Sequence, residues 1–234
     1  MRKPRSKTNI SKYFLGLLSI SSLFLLPNSA KADSPLTSTN IANYYQDIEI
    51  ISTAQKTKII DEKILKFLLS KAPLDEKSAV INALGWNFEG QNNSYLFLEG
   101  FAKSKGLKIN DLTIEQLSYS DKFVLGYLLA MDDYLNLSPL DRNSSISLFK
   151  ITPLELLTSV ALELPDNFTA HFIRALVEGQ NNLSNPESWC NIYQIHQLVL
   201  NQFPLSERNL RPLAVENIMD YINLYGEYCQ GKTP

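Results

Sequence analysis

Apolar residues recur at helical spacing along most of this chain, and no convincing stretch alternates strictly between apolar and polar. Ile41, Tyr44, Tyr45, Ile48 and Ile51 form one stripe. Ile60, Ile64, Phe67 and Leu68 form the next, followed by Val80, Ala83 and Leu84. Val124, Leu125, Leu128, Met131 and Leu135 continue the pattern. So do Leu156, Leu157, Val160 and Ala161, and lastly Ile218, Met219, Ile222 and Tyr225. β-Branched residues do not gather between turn signals, as strands require. Stripes of this kind bury themselves against other helices, so the expected fold is all-α, with about eight to ten helices.

Local signals place the helix ends. Thr152-Pro153-Leu154-Glu155 combines a capping hydroxyl, a first-turn proline and a carboxylate that reaches back to the cap amide. Ser138-Pro139-Leu140-Asp141 resembles it, and Asn185-Pro186-Glu187 and Thr113-Ile114-Glu115-Gln116 are weaker versions. Gly85 is expected to end a helix over Leu74–Leu84. Gly106 and Gly179 are expected at left-handed helix ends, where a Cβ is unwelcome. Pro165 and Pro204 stop helices, because the residue before proline is pushed out of the helical region.

No Pro-, Ser- or Gly-rich linker divides residues 39–229, so these form one helical domain. Residues 33–38 are expected to be a flexible lead-in and 230–234 a frayed tail. Glu89-Gly90-Gln91-Asn92-Asn93 recurs word for word at Glu178-Gly179-Gln180-Asn181-Asn182. Other recurrences do not share its spacing, whereas a solenoid needs one consistent period. The expectation is therefore a compact or irregular multi-helix array, with a short α-solenoid as the alternative.

Residues 1–32 point to the compartment. They hold six bases and no acid, which leaves 16 of the 22 bases to face all 24 acids in the remainder. The bases of Arg2–Lys12 lead into the apolar run Tyr13–Leu26. Pro27 breaks it, and Ala30-Lys31-Ala32 supplies the small-x-small pattern of a cleavage site before Asp33. Fourteen helical residues reach about 21 Å, short of a hydrocarbon core near 30 Å. The expectation is a removable signal peptide, a periplasmic or secreted protein, and no transmembrane span in the mature chain. The acidic remainder excludes a sequence-independent nucleic-acid binder, which needs cations for phosphate. In an oxidising compartment the two cysteines, Cys190 and Cys229, are candidates for a disulfide.

Catalytic signatures are missing: there is no nucleophile elbow, phosphate loop or dinucleotide fingerprint, and no catalytic residue is assigned. Cys190 and His196 fall short of the three or four ligands a metal needs, so no metal or cofactor is expected. His171, Arg174 and Glu178 share a helix face and read as a polar surface whose members pair with one another. Asp132 and Asp133 lack the spacing of a calcium loop and read as surface acids. A paired-carboxylate hydrolase needs two carboxylates, one of them buried. Glu89 and Glu99, flanked by aromatic and aliphatic residues, are the candidates. The repeated loops supply the binding candidates: Trp86 and Phe88 as apolar anchors with Glu89, Gln91 and Asn92, and then Glu178, Gln180 and Asn181. The function expected is a non-enzymatic protein-interaction module of the bacterial envelope, an adaptor, inhibitor or immunity-type binder with a protein partner. The alternative is a hydrolase acting on cell wall or glycan.

Overall fold

The apolar stripes become the inner faces of nine α-helices among the described residues, 33–229, of a computed structural model. These are α1 (Glu49–Thr57), α2 (Glu62–Leu68), α3 (Leu74–Leu84), α4 (Asn93–Ser104), α5 (Tyr119–Asp132), α6 (Pro153–Glu163), α7 (Phe168–Asn182), α8 (Trp189–Gln202) and α9 (Pro212–Ile222). Short 3-10 turns connect several of them, and there is no strand among the described residues. The fold is all-α and a single domain. The expected signal segment 1–32 and tail 230–234 lie outside the described residues.

The centre is α5, whose residues Phe123 to Asp132 are all buried. Burial on every side matches a sequence apolar all round rather than along one face. Helices α3, α4, α6 and α7 pack around it, and α8 packs on α7. The C-terminal helix α9 returns to the 3-10 turn Ile41–Tyr45. There the Tyr45 hydroxyl donates to Asp75 at 2.9 Å and accepts the Arg211 amide at 3.0 Å. The Arg211 guanidinium lies over the Tyr45 ring, 4.2 Å from its centroid, and pairs with both oxygens of Asp47. The first 3-10 turn and α9 therefore meet, which closes the array where an open solenoid stack would hold them apart.

Several helix ends follow the sequence signals. Thr152 and Glu155 form the reciprocal capping box of α6, and Asn167 accepts the Ala170 amide at 3.0 Å at the start of α7. Helix α3 ends at Gly85, with φ of +74°, and Gly106 follows α4 with φ of +69°.

Other expectations are corrected. The stripe from Ile41 to Ile51 is not one helix. Arg211 donates to the Tyr44 carbonyl at 2.8 Å, taking the acceptor that a continuous helix offers to residue 48. Ser138–Asp141 starts no helix: Asp141 turns forward to the Asn143 amide, and Arg142 donates to the Ser138 hydroxyl. Gly179 lies inside α7, not at a left-handed end. A Cβ there would sit 3.3 Å from both His196 and Ile192, so glycine serves the close approach of α7 and α8. Residues 33–38 are not a free lead-in. Ser34 and Leu36 are buried, and the Leu36 amide donates to Gln180 Oε1 at 3.3 Å.

The two cysteines are joined. Cys190 in α8 and Cys229 in the final 3-10 stretch Asn223–Cys229 form a disulfide with Cα atoms 4.8 Å apart.

Candidate functional site

Two concave surfaces meet at the short link between α1 and α2. The first is a cleft of about 470 Å³ beside Trp86. Helix α1 stops at Lys58, which takes a left-handed conformation, and its ammonium donates to the Ala83 carbonyl at 2.9 Å. That contact answers a carbonyl left open at the end of α3, where cations are favoured. Burial draws the Lys58 ammonium below the usual lysine range. The opposite wall is the strap around Leu36–Asn40. Asn82 fixes it by accepting the Ala42 amide and donating to the Thr39 carbonyl, both at 3.0 Å. Lys58 is a cation in this lining, and no carboxylate among the described residues stands with it.

Trp86 closes one side of the cleft and carries an aromatic cluster on the other. Its ring meets Phe88 edge-on at 5.0 Å between centroids and Tyr134 at 5.2 Å. Phe88 projects from the turn and is 61% exposed. The indole is thus half core and half surface, a common state for an amphipathic aromatic.

The second surface is a groove of about 1030 Å³ between α2 and α4. Leu65, Leu69, Leu96 and Gly100 give it an apolar floor. A Cβ at Gly100 would lie 2.2 Å from Leu65 Cδ2, so only glycine lets Leu65 lie across α4. Glu62 and Lys66 edge the groove on α2, and Glu99 and Lys103 edge it on α4. Each pair is spaced i, i+4 with the acid first, the favourable order on a helix.

The ridge between cleft and groove is Lys58-Ile59-Ile60. The Asn93 side chain locks it to α4, donating to the Lys58 carbonyl at 3.1 Å and accepting the Ile60 amide at 2.9 Å. Ile59 between them is 56% exposed, and Tyr95 one turn into α4 is 39% exposed. Cleft, ridge and groove therefore form a continuous face with apolar side chains at the surface.

The two identical pentapeptides do not form matching loops. Glu89–Gln91 belongs to the turn before α4, whereas Glu178–Asn182 is the helical end of α7. The reason lies in what each meets. Gly90 has φ of +80°, and the next amide, Gln91, bonds the Asp132 carbonyl at 3.1 Å. Gly179 instead stays helical beneath α8. Glu178 pairs with Arg174 at 2.7 Å, as expected for a self-paired polar face, and Asn181 is exposed. Gln180 is buried and touches the site only through the strap, by holding Leu36. Glu89 and Asn92 are exposed, and the Gln91 side chain accepts from Asn93.

The carboxylates read differently from the sequence. Glu89 and Glu99 are both exposed, so neither is the buried carboxylate that a paired-carboxylate site calls for. Asp132, expected at the surface, is buried and accepts the Ser94 amide at 2.7 Å. Burial pushes its carboxyl above the usual range. Cys190 is consumed by the disulfide, and His196 is buried with Nδ1 on the Ile192 carbonyl at 2.7 Å. Among the described residues no three His, Cys, Asp or Glu side chains come together to hold a metal. No helix among them is long and apolar enough to cross a membrane. Lys58, Asn82, Asn93 and Asp132 shape the site without any motif that announces them. No protein-family model, curated protein or solved structure matches the chain, so the site is read from its own geometry.

Proposed function

We propose that this is an exported, non-enzymatic binding module of the bacterial envelope whose α2–α4 groove takes an amphipathic helix of a partner protein. The observation that carries the reading is the groove itself: an apolar floor of Leu65, Leu69 and Leu96, deepened at Gly100 and edged by charges of both signs. This is the anatomy of helix-in-groove recognition, in which an apolar stripe fills the floor and charges at the rim set register. The 12 residues of α4 run about 18 Å, room for about three turns of a partner helix. Ile59 and Tyr95 extend the apolar contact at the rim, and Phe88 projects from the neighbouring turn. The basic, apolar, small-x-small order of residues 1–32 supports export to the periplasm or medium.

Site-specific photo-crosslinking in the native cell tests this. A photoreactive residue at Leu96 or Ile59 should give one discrete adduct. The same residue at Leu162 or Leu205, exposed at 78% and 79%, should give none. Adducts of equal yield from all four positions, or none from Leu96 and Ile59, contradict the reading.

A further inference from the structure

Asp33 lies in a pocket of about 300 Å³ walled by Trp189, Tyr221, Tyr225 and Tyr228. Trp189 and Tyr228 meet edge-on at 4.7 Å between centroids, and Tyr225 stands at 84° to Trp189 at 6.1 Å. The Tyr221 and Tyr225 hydroxyls are 2.8 Å apart, and the Asp33 carboxylate acts on both. That carboxylate also accepts the Ser38 hydroxyl at 2.9 Å. Among the described residues no lysine or arginine lines the pocket.

The strap becomes buried one residue later. Ser34 is 3% exposed and Leu36 1%. Processing enzymes grip several extended residues around the bond they cut, and a docked strap withholds those on the C-terminal side. Cleavage after Ala32 must therefore precede docking. Water adds across the Ala32–Asp33 bond, leaving a carboxylate on Ala32 and a new ammonium on Asp33.

We propose that the Trp189–Tyr221–Tyr225–Tyr228 pocket is the seat of this new N-terminal ammonium, so that processing supplies the cation that fastens the strap. The inference rests on the export reading above for the position of the cut. Aromatic faces attract a cation through their quadrupole, most strongly tryptophan and tyrosine. A peptide N–H at the same place carries no charge and gains little. The disulfide links the two halves of the pocket, because Cys190 follows Trp189 and Cys229 follows Tyr228. The strap in turn builds one wall of the Trp86 cleft.

Three purified forms of the chain test the proposal: one starting at Asp33 with a free amine, the same chain N-acetylated, and one starting at Ala30. The free-amine form should melt about 2–4 °C above the acetylated form. The form starting at Ala30 should melt no higher than the acetylated one. Tyr228→Leu should abolish the difference between free and acetylated amine. Equal melting of all three forms, or a difference that survives Tyr228→Leu, overturns the proposal and leaves export standing. N-terminal sequencing of the natural protein is the separate check. A start other than Asp33 removes the proposed cut and the seat with it.

Discussion

Asp132, the last residue of α5, accepts the backbone amide of Ser94 in the first turn of α4 at 2.7 Å. The acid is misplaced for the dipole of its own helix and well placed for that of its neighbour. It takes over the cap that Asn92, at the N-cap position, does not supply through its side chain. The Asp132 carbonyl also receives the Gln91 amide, so one residue fixes both α4 and the turn that leads into it.

Removing this acceptor should be costly. Asp132→Ala should lower unfolding stability by about 1–3 kcal/mol, since buried amides lose their partner. Asp132→Asn keeps an acceptor and removes the charge. Burial raises the carboxyl pKa in the folded state, so the fold holds that proton more tightly than the unfolded chain. Stability therefore falls as pH rises through the interval from the ordinary aspartate range to the raised value. The Asn variant should lose this dependence and match or exceed the parent at pH 7 in urea unfolding. An Asn variant as unstable as the Ala variant contradicts the assignment.

His196 should make the fold sensitive to acid. It is fully buried beside Phe172, and burial pulls its imidazole down to about 4. The unfolded chain takes up that proton near pH 6.5, so the His196 contribution to stability is full above this value and is lost as pH drops toward 4, opposite in sign to that of Asp132. The loss amounts to roughly 3 kcal/mol between pH 7 and pH 4. His171, partly buried against Phe203, shifts in the same direction and adds to the slope. His196→Gln should flatten most of the decline in urea titrations at pH 7 and 4.5. An unchanged slope assigns the acid sensitivity elsewhere.

The Cys190–Cys229 bridge closes a loop spanning 39 positions around α9. Replacing both cysteines with alanine should cost about 2–4 kcal/mol, because the unfolded chain regains that loop's freedom. The loosening should be local, and hydrogen exchange should rise first in Asn223–Cys229. Free thiols in the unreduced natural protein contradict the bridge.

The helical class was legible in the sequence because burial of a stripe is a local, periodic demand. Helix starts such as Thr152 and Thr113 were legible for the same reason, since cap and capped amide lie within three residues. What long-range partners decide was not legible. Arg211 breaks the first helix from 167 residues away, and Asp132 caps a helix 38 residues earlier. The two copies of Glu-Gly-Gln-Asn-Asn make the point most clearly. One forms a turn pinned by Asp132 and the other a helix end under His196, so identical residues obey different neighbours. Trp86 was legible as an aromatic residue beside the first of the two pentapeptides. The groove was not found, because Leu65 and Gly100 meet only when α2 lies across α4.

The α2–α4 groove is proposed to hold a partner helix. Gly100→Ala tests it most directly, because the new methyl group displaces the Leu65 side chain from its place against α4 and reshapes the floor. The added helix propensity of alanine offsets part of that strain, about 1 kcal/mol. The measurement is the yield of the photo-adduct formed from Ile59, on the ridge beside the groove, in parent and Gly100→Ala chains of matched thermal stability. Leu96→Asp, at the surface-facing edge of the floor, serves as the second variant. Adduct yield should fall about tenfold or more in both, as when a central contact worth about 1.4 kcal/mol is lost. Undiminished adduct from folded Gly100→Ala and Leu96→Asp chains contradicts it.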